Sequence, residues 1–109
     1  MTPTHYEMFS ALAEPHRLEI VELLRNKPRP VGEIVSLLHL QQPQVSKHLK
    51  ILSKAGIVQM EPVANLHIYK LHPKPFKELD IWLSKYRSMW EERFSRLDAL
   101  LAEEKKNNK

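Results

Sequence analysis

The sequence predicts a mainly α-helical protein with one small β-hairpin, and two patterns support this prediction. Up to Gly56, apolar residues recur at steps of three and four, the spacing that puts them on one side of a helix. The segments "IVQMEP" and "LHIYKL" that follow are short and carry β-branched and aromatic side chains, as strands do. After Pro75 there is neither glycine nor proline, and the helical spacing returns. We therefore expect the order α-α-α-α-β-β-α.

The first two helices are predicted on either side of Pro15. A short helix with Met8, Phe9 and Leu12 on one side ends before this proline. Pro15 itself is tolerated in the first turn of the second helix, where a missing N–H loses no intrahelical partner. In "EPHRLEIVELLRNKP" the apolar residues cover a wide arc, so we expect this helix to be buried and to end before Pro28.

The third and fourth helices are predicted to follow the break at "KPRP". "VGEIVSLLHL" gives a short third helix, and a tight turn leads to a fourth helix that begins near Gln41 and ends at Gly56. At about 100° per residue, Val45, Leu49 and Leu52 lie on one side of this fourth helix. The opposite side carries Pro43, Ser46, Lys47, Lys50 and Lys54, with Gln44 and His48 on the flanks. We therefore expect the apolar side to be buried and the polar side to stay open.

A hairpin directly after two helices that are joined by a tight turn makes a winged helix-turn-helix unit. Its bend is predicted near Val63, Ala64 and Asn65, and Pro62 is acceptable because each strand of a two-stranded ribbon has a free edge. In such units the second helix of the pair fits a major groove about 12 Å wide. The order of elements thus predicts that the fourth helix contacts a nucleic acid.

The last helix is predicted over residues 75–106 of a single domain that spans residues 1–109. From residue 75 to about residue 104 it would measure about 45 Å, longer than a domain of about seventy other residues can cover. Its apolar residues recur along one side of the helix, interrupted only by Arg93, and therefore need a second subunit. These residues are Phe76, Leu79, Leu83, Tyr86, Trp90, Leu97 and Leu100, and Trp82, Phe94 and Leu101 widen the apolar side.

The charge pattern favours a polyanionic partner at the fourth helix. The net charge is +4, which is a weak indication by itself. Between Glu33 and Glu61, however, there is no carboxylate, whereas Lys47, Lys50 and Lys54 lie in this interval. The positive field is therefore concentrated where the helix-turn-helix is predicted.

The residue types on the fourth helix suit DNA. Glutamine pairs bidentately with adenine and lysine donates to guanine O6 and N7, whereas lysines farther along the helix suit phosphates. His48 can donate either to a DNA phosphate or to the edge of the core, and both alternatives stay open. The candidate DNA-binding residues are Gln42, Gln44, Ser46, Lys47, His48, Lys50 and Lys54.

Composition excludes several function classes. Without cysteine the chain has no disulfide, thiolate metal site or cysteine nucleophile. Ser46 and His48 point about 200° apart on a helix, with no acid nearby, so we expect no catalytic residue and no enzyme. The six histidines show no ligand spacing, so we expect no metal site and no cofactor. A signal peptide and a membrane-spanning run are both missing, which predicts a cytoplasmic protein.

Three segments together resemble the ArsR family of bacterial winged-helix repressors. "FSALAEPHRLEIVELL" is similar to the opening motif of the family, "VGEIVSLLHLQQPQVSKHLKILSKAGIV" to its helix-turn-helix and "HIYKL" to its second wing strand, over residues 9–71. The resemblance implies a homodimer that represses transcription from a partly palindromic operator and pairs through its first and last helices. It also implies operator contacts by Gln42, Gln44, Ser46, Lys47 and His48. The interface residues that we expect are Phe9, Leu83, Tyr86, Trp90, Phe94 and Leu97.

The chain departs from the family pattern at the turn and at the wing. His39 stands where glycine is common and Gln41 where a serine N-cap is common, so the turn should be less tightly capped. The bend "PVANLH" lacks arginine and lysine, which leaves Asn65 and His67 as its polar candidates for minor-groove contact. The two metal-site types of the family, on its third and last helices, cannot be assembled from this sequence.

Two alternatives remain open. Winged helices also serve as protein-interaction modules without specific DNA binding, but such a module would carry exposed aliphatic residues in place of the lysines on the fourth helix. Trp82, Tyr86, Trp90 and Phe94 could line a pocket for an unidentified small-molecule effector, although packing in the core or between subunits explains these aromatic residues better.

Overall fold

The structure is a computed structural model that describes the backbone of residues 3–107 and the side chains of residues 5–105. The predicted mainly helical fold with a β-hairpin is confirmed, and one short strand is added before the third helix. The elements are α1 (Pro3–Leu12), α2 (Pro15–Asn26), β1 (Arg29–Pro30), α3 (Val31–Leu38), α4 (Gln42–Lys54), β2 (Val58–Val63), β3 (Leu66–Leu71) and α5 (Pro73–Asn107).

The chain forms two compact units, divided between Phe76 and Lys77. The first unit holds α1 to α4, the sheet and the start of α5, and it has the winged-helix arrangement. The second unit is the remainder of α5. Along the part of the chain that the structure describes, no helix is long and apolar enough to cross a lipid bilayer.

The core of the first unit takes one to three buried side chains from each of α1, α2, α3 and α4 and from the start of β2. α2 contributes only Ile20 and Leu24, and its Leu18 is 48% exposed. The prediction that α2 is buried over a wide arc is therefore wrong for this side of the helix. The buried apolar residues are Met8, Ala11, Ile20, Leu24, Ile34, Val45, Leu49, Leu52, Ile57 and Val58.

The sheet has three strands in the order β1-β3-β2, all antiparallel to their neighbours. β1 pairs Arg29 with Tyr69 and Pro30 with Ile68, so "KPRP" is not the plain break that the sequence suggested. β3 is consequently the central strand, and the ribbon has one free edge fewer than predicted. Pro62 lies on β2, which remains an edge strand and tolerates proline for that reason.

The turn between α3 and α4 depends on a left-handed residue. His39 caps the end of α3 at φ 55° and ψ 38°, a conformation that costs a residue with a Cβ about 1–2 kcal/mol. The N–H of Leu40 donates to the Val35 carbonyl at 3.3 Å, which satisfies an acceptor at the helix end. Glycine would adopt this turn without that cost, as the departure from the family pattern at His39 indicated.

The orientation of α4 predicts a difference between two leucines. We expect Leu49→Ala to lower the free energy of unfolding by about 2–5 kcal/mol, because a buried leucine leaves a cavity. The same substitution at Leu37, which is 47% exposed, should cost less than about 1 kcal/mol. Urea unfolding followed by circular dichroism, at one protein concentration, compares the two variants. Equal losses would contradict the burial of this side of α4.

Candidate nucleic-acid interface

α4 has one side buried in the first unit. Val45, Leu49 and Leu52 are between 0% and 1% exposed, and their spacing of four and three residues aligns them along the helix. The apolar side of the predicted fourth helix is thus confirmed. Because this side is fixed, the rotation of the helix about its axis is fixed as well.

The other side of α4 is exposed, and we call it the lysine face. Among the described residues, none of the Ser46, Lys47 and Lys50 side chains has a hydrogen-bond or ion-pair partner. The lysine face consists of Gln42, Gln44, Ser46, Lys47, Lys50 and Lys54, all exposed. The structure therefore leaves six of the seven candidate DNA-binding residues accessible on one helix.

The carboxylates that border the lysine face in sequence are both paired with cations. Glu33 forms an ion pair with Arg29, whose side chain is only 12% exposed. Oε2 of Glu61 lies 3.6 Å from Nζ of Lys70, a diagonal neighbour on the adjacent strand β3. These pairs offset the negative charges that stand nearest in sequence to the lysines, so the surface of α4 keeps its positive field.

Gln44 has a second role that the sequence analysis missed. Its Oε1 accepts a hydrogen bond of 3.1 Å from the N–H of Gln41, the N-cap residue of α4. This hydrogen bond is the reciprocal half of a capping box, a motif in which glutamine is common at this position. The bond compensates for the absence of a serine N-cap. An amide oxygen has two lone pairs, so the bond holds the side chain while still allowing contact with a base.

His48 lies apart from the lysine face. Its side chain is 17% exposed, and its Nδ1 is 3.7 Å from Oε2 of Glu14 and 3.5 Å from a guanidinium nitrogen of Arg17. Its ring centroid is 5.5 Å from that of His16. The structure thus places His48 at the edge of the core beside the start of α2, and its contact with DNA stays a prediction.

Glu14 connects these groups. As N-cap of α2 it accepts a hydrogen bond of 2.9 Å from the Arg17 N–H through Oε2, and its Oε1 is 3.3 Å from Nδ1 of His16. Partial burial acts to raise the pKa of Glu14. The Arg17 N–H and the His48 and His16 imidazoles outweigh that effect, and the pKa lies below its ordinary value.

The wing carries little charge at its tip. β2 and β3 are joined at Ala64 and Asn65, with Ala64 at φ 54°. Asn65 and His67 are exposed, as minor-groove contact would need, but that contact stays a prediction. Val63 and Leu66 on either side of the turn are about half exposed, so the tip is more apolar than basic.

The second unit exposes the predicted interface residues of α5. Within this unit Trp90 is the most exposed of them, at 65%, and its ring meets that of Phe94 edge to face with centroids 6.0 Å apart. Phe9, the candidate on α1, is 40% exposed. An open groove along α5 is lined by Asp80, Leu83, Tyr86, Arg87 and Trp90. The apolar stripe, as we call it, is Leu83, Tyr86, Trp90, Phe94 and Leu97, each at least 42% exposed.

A helix pair followed by a hairpin, with a lysine-bearing second helix, defines the class of winged-helix DNA-binding proteins. A sequence profile for the family described as "Bacterial regulatory protein, arsR family" matches residues 14–60. The chain is also 36% identical over 78 residues to the HTH-type transcriptional regulator Rv2034 of Mycobacterium tuberculosis, covering 72% of this chain and 73% of that protein. The chain therefore belongs to the arsR family of bacterial regulatory proteins, which confirms the resemblance.

Two further relatives agree with this assignment. The HTH-type transcriptional repressor SmtB of Mycobacterium tuberculosis is 48% identical over 65 residues, which are 60% of this chain and 48% of that protein. The chain thus spans about half the length of that relative. The crystal structure of Mycobacterium tuberculosis Rv0081 superposes with a TM-score of 0.62 at 30% identity, covering 85% of this chain and 98% of that one.

The low pKa of Glu14 predicts a pH-dependent stability. A lowered pKa contributes stability above the ordinary value of 4.5, and this contribution is lost as the pH falls through the folded value. We expect Glu14→Gln to lower the thermal unfolding midpoint at pH 7 and the deficit to shrink between pH 5 and pH 3. Circular dichroism melts measure the midpoint at each pH, and EDTA in the buffer excludes any contribution from bound metal ions. Glu19→Gln, at an exposed position of α2, is the control, and its midpoint should differ from that of the unsubstituted protein by the same amount at every pH. A deficit for Glu14→Gln that does not change with pH would refute the prediction.

Proposed function

We propose that the protein is a cytoplasmic, homodimeric transcriptional repressor. It binds a partly palindromic DNA operator through α4 and catalyses no reaction. The observation that carries the proposal is the two-sided α4, with three buried apolar residues behind an exposed face free of carboxylates. A major groove is wide enough for an α-helix, so α4 can present its lysine and glutamine side chains to the base edges there. The family assignment supports the same function.

The lysine face divides into base-reading and phosphate-binding parts. Gln42, Gln44, Ser46 and Lys47 occupy the N-terminal half of α4, the half that meets base edges in helix-turn-helix proteins. Lys50 and Lys54 lie in the C-terminal half and serve as phosphate contacts. The capping bond from Gln41 holds Gln44 in place at the start of the helix, so its side chain loses less conformational entropy when it binds a base.

The apolar stripe supports dimerisation through α5, and the family resemblance adds α1, where Phe9 is 40% exposed. Five large side chains stay exposed in a helix that has no other element of its own unit to pack against. A second copy offers the same stripe, and a two-fold axis would bring the two into contact. Two copies of α4 would then address half-sites one helical turn of DNA apart, about 34 Å.

A protein-interaction module is the alternative, and one observation favours it. Val63 and Leu66 expose apolar surface at the tip of the wing. The lysine face argues for DNA instead, because a docking surface for a protein would place aliphatic residues there. In the same repressor the groove of α5 would suit a small-molecule effector, because an allosteric ligand binds at a site distinct from the DNA-binding surface.

The division of the lysine face predicts two kinds of binding defect. Gln44→Ala should reduce the preference for the operator over scrambled DNA by about 1–3 kcal/mol, because a bidentate base contact is lost. Lys50→Ala should weaken both DNAs alike and reduce the slope of log K against log salt by about one unit per half-site. Fluorescence anisotropy over a range of salt concentrations measures both effects.

Lys85→Ala is the matched control for loss of a positive charge, because Lys85 is exposed on α5. It should leave affinity, specificity and salt slope close to those of the unsubstituted protein. Identical behaviour of the Gln44 and Lys50 variants would reject the division of roles. Equal affinity of the unsubstituted protein for operator and scrambled DNA would reject specific repression and favour the interaction module.

The apolar stripe predicts a dimer that charge can disrupt. Trp90→Glu combined with Leu97→Asp should give monomers in analytical ultracentrifugation, since burying two carboxylates in an apolar interface is costly. Lys85→Glu combined with Ser88→Asp adds the same acids on the other side of α5 and should leave the dimer intact. A dimer that survives the first pair of substitutions would place the interface elsewhere.

A further inference from the structure

A cluster of three ligand-type side chains joins the start of α2 to the middle of α4. Glu14, His16 and His48 each offer one donor atom, and these atoms all lie within 4.8 Å of one another. All three residues are partly buried, and His48 is the most enclosed. The lysine face does not use this cluster, and the proposed repressor function does not require it.

The distances within the cluster are those of a metal site with small adjustments. Bonds of about 2.0–2.1 Å in a tetrahedral arrangement place neighbouring donor atoms about 3.4 Å apart. In the cluster, His16 Nδ1 is 3.3 Å from Oε1 of Glu14, and His48 Nδ1 is 3.7 Å from Oε2. The remaining separations between donor atoms are within 4.8 Å, so they need to shorten only modestly, and rotation of the half-exposed His16 ring and of the carboxylate supplies that movement.

The two oxygens of Glu14 divide their tasks in a way that suits coordination. Oε2 accepts the Arg17 N–H at 2.9 Å as the cap of α2, while Oε1 faces His16. One oxygen can therefore bind a cation while the other keeps the carboxylate oriented through the backbone. Ligating carboxylates in metalloproteins are held by hydrogen bonds in the same manner.

We propose that Glu14, His16 and His48 form a binding site for one divalent transition-metal cation of the Zn²⁺, Co²⁺ and Ni²⁺ class. Two imidazoles and one carboxylate suit this class, whereas Mg²⁺ and Ca²⁺ prefer all-oxygen sites. Three protein ligands leave a fourth tetrahedral position for water. The bound cation would link α2 directly to the helix that carries the lysine face.

Two charges near the cluster oppose a cation and set the strength of the site. A guanidinium nitrogen of Arg17 is 3.5 Å from Nδ1 of His48, and the N-terminus of α2 adds a partial positive charge. The Glu14 carboxylate offsets one positive charge. The Arg17 side chain is also held by the Ala11 carbonyl on the α1 side, so a metal ion has to displace only its long contact with His48.

We expected no metal site from the sequence because the histidines show no ligand spacing along the chain. His16 and His48 are separated by most of α2, by α3 and by the turn, and no short motif contains both. The cluster also differs in position from the two metal-site types of the family, which lie on the third and last helices. Folding alone brings its ligands together, which is why the pattern of histidines gave no signal.

Equilibrium dialysis with Zn²⁺ and a visible-absorption titration with Co²⁺ at pH 7 test the proposal on the full chain. We expect one equivalent per chain and the intense bands of tetrahedral Co²⁺. His16→Gln and His48→Gln should each weaken binding at least tenfold, because one of three ligands is removed. His67→Gln, which removes an exposed histidine from the wing, is the matched control and should bind like the unsubstituted protein.

Each outcome decides for or against the site. His16 is the informative position, because its side chain is 42% exposed and the variant should fold; melts in EDTA check this for both variants. Unchanged binding by His16→Gln, no saturable binding by the unsubstituted protein, or an equal loss in His67→Gln would overturn the proposal. Operator binding measured in EDTA is independent of it, so the repressor function can stand or fall separately.

Discussion

Burial of three side chains of α4 is the interaction on which the other features depend. Val45, Leu49 and Leu52 are almost completely enclosed, and burial of such side chains contributes about 1.5–3 kcal/mol each. Their sum is comparable to the net stability of a small domain, about 5–15 kcal/mol. The same contacts fix which residues of α4 point outward, because a helix turns by about 100° per residue. Stability and presentation of the lysine face therefore have one cause.

A helix fixed in this way has a third side, which sequence periodicity describes only as a flank. His48 follows Lys47 in the chain but points toward Glu14 and Arg17 at the start of α2. The contact is electrostatic and polar, unlike the apolar contacts behind it. α4 is thus held to its unit by two kinds of interaction, and only the polar one contains titratable side chains.

The sequence predicted those features that repeat and missed those that depend on one distant contact. Steps of three and four residues identified the helices, including the buried side of α4. β1 has two residues, one of them proline, and exists only because β3 offers a second edge. Leu18 was expected inside since periodicity counts apolar residues and cannot show which part of a wide arc is covered. The capping role of Gln44 and the cluster at Glu14 were not predicted because both depend on contacts that form only in the folded chain.

The two surfaces of the proposed repressor need each other. The tip of the wing has no cation, so a single subunit has α4 as its main contact with DNA, and the few phosphates that Lys50 and Lys54 can neutralise give weak binding. Linking two such helices turns the second binding event into an intramolecular one and can raise the overall affinity by about 10²–10⁴. In the proposed dimer the apolar stripe of α5 makes this link, and it would thereby compensate for the absence of a cation at the tip of the wing.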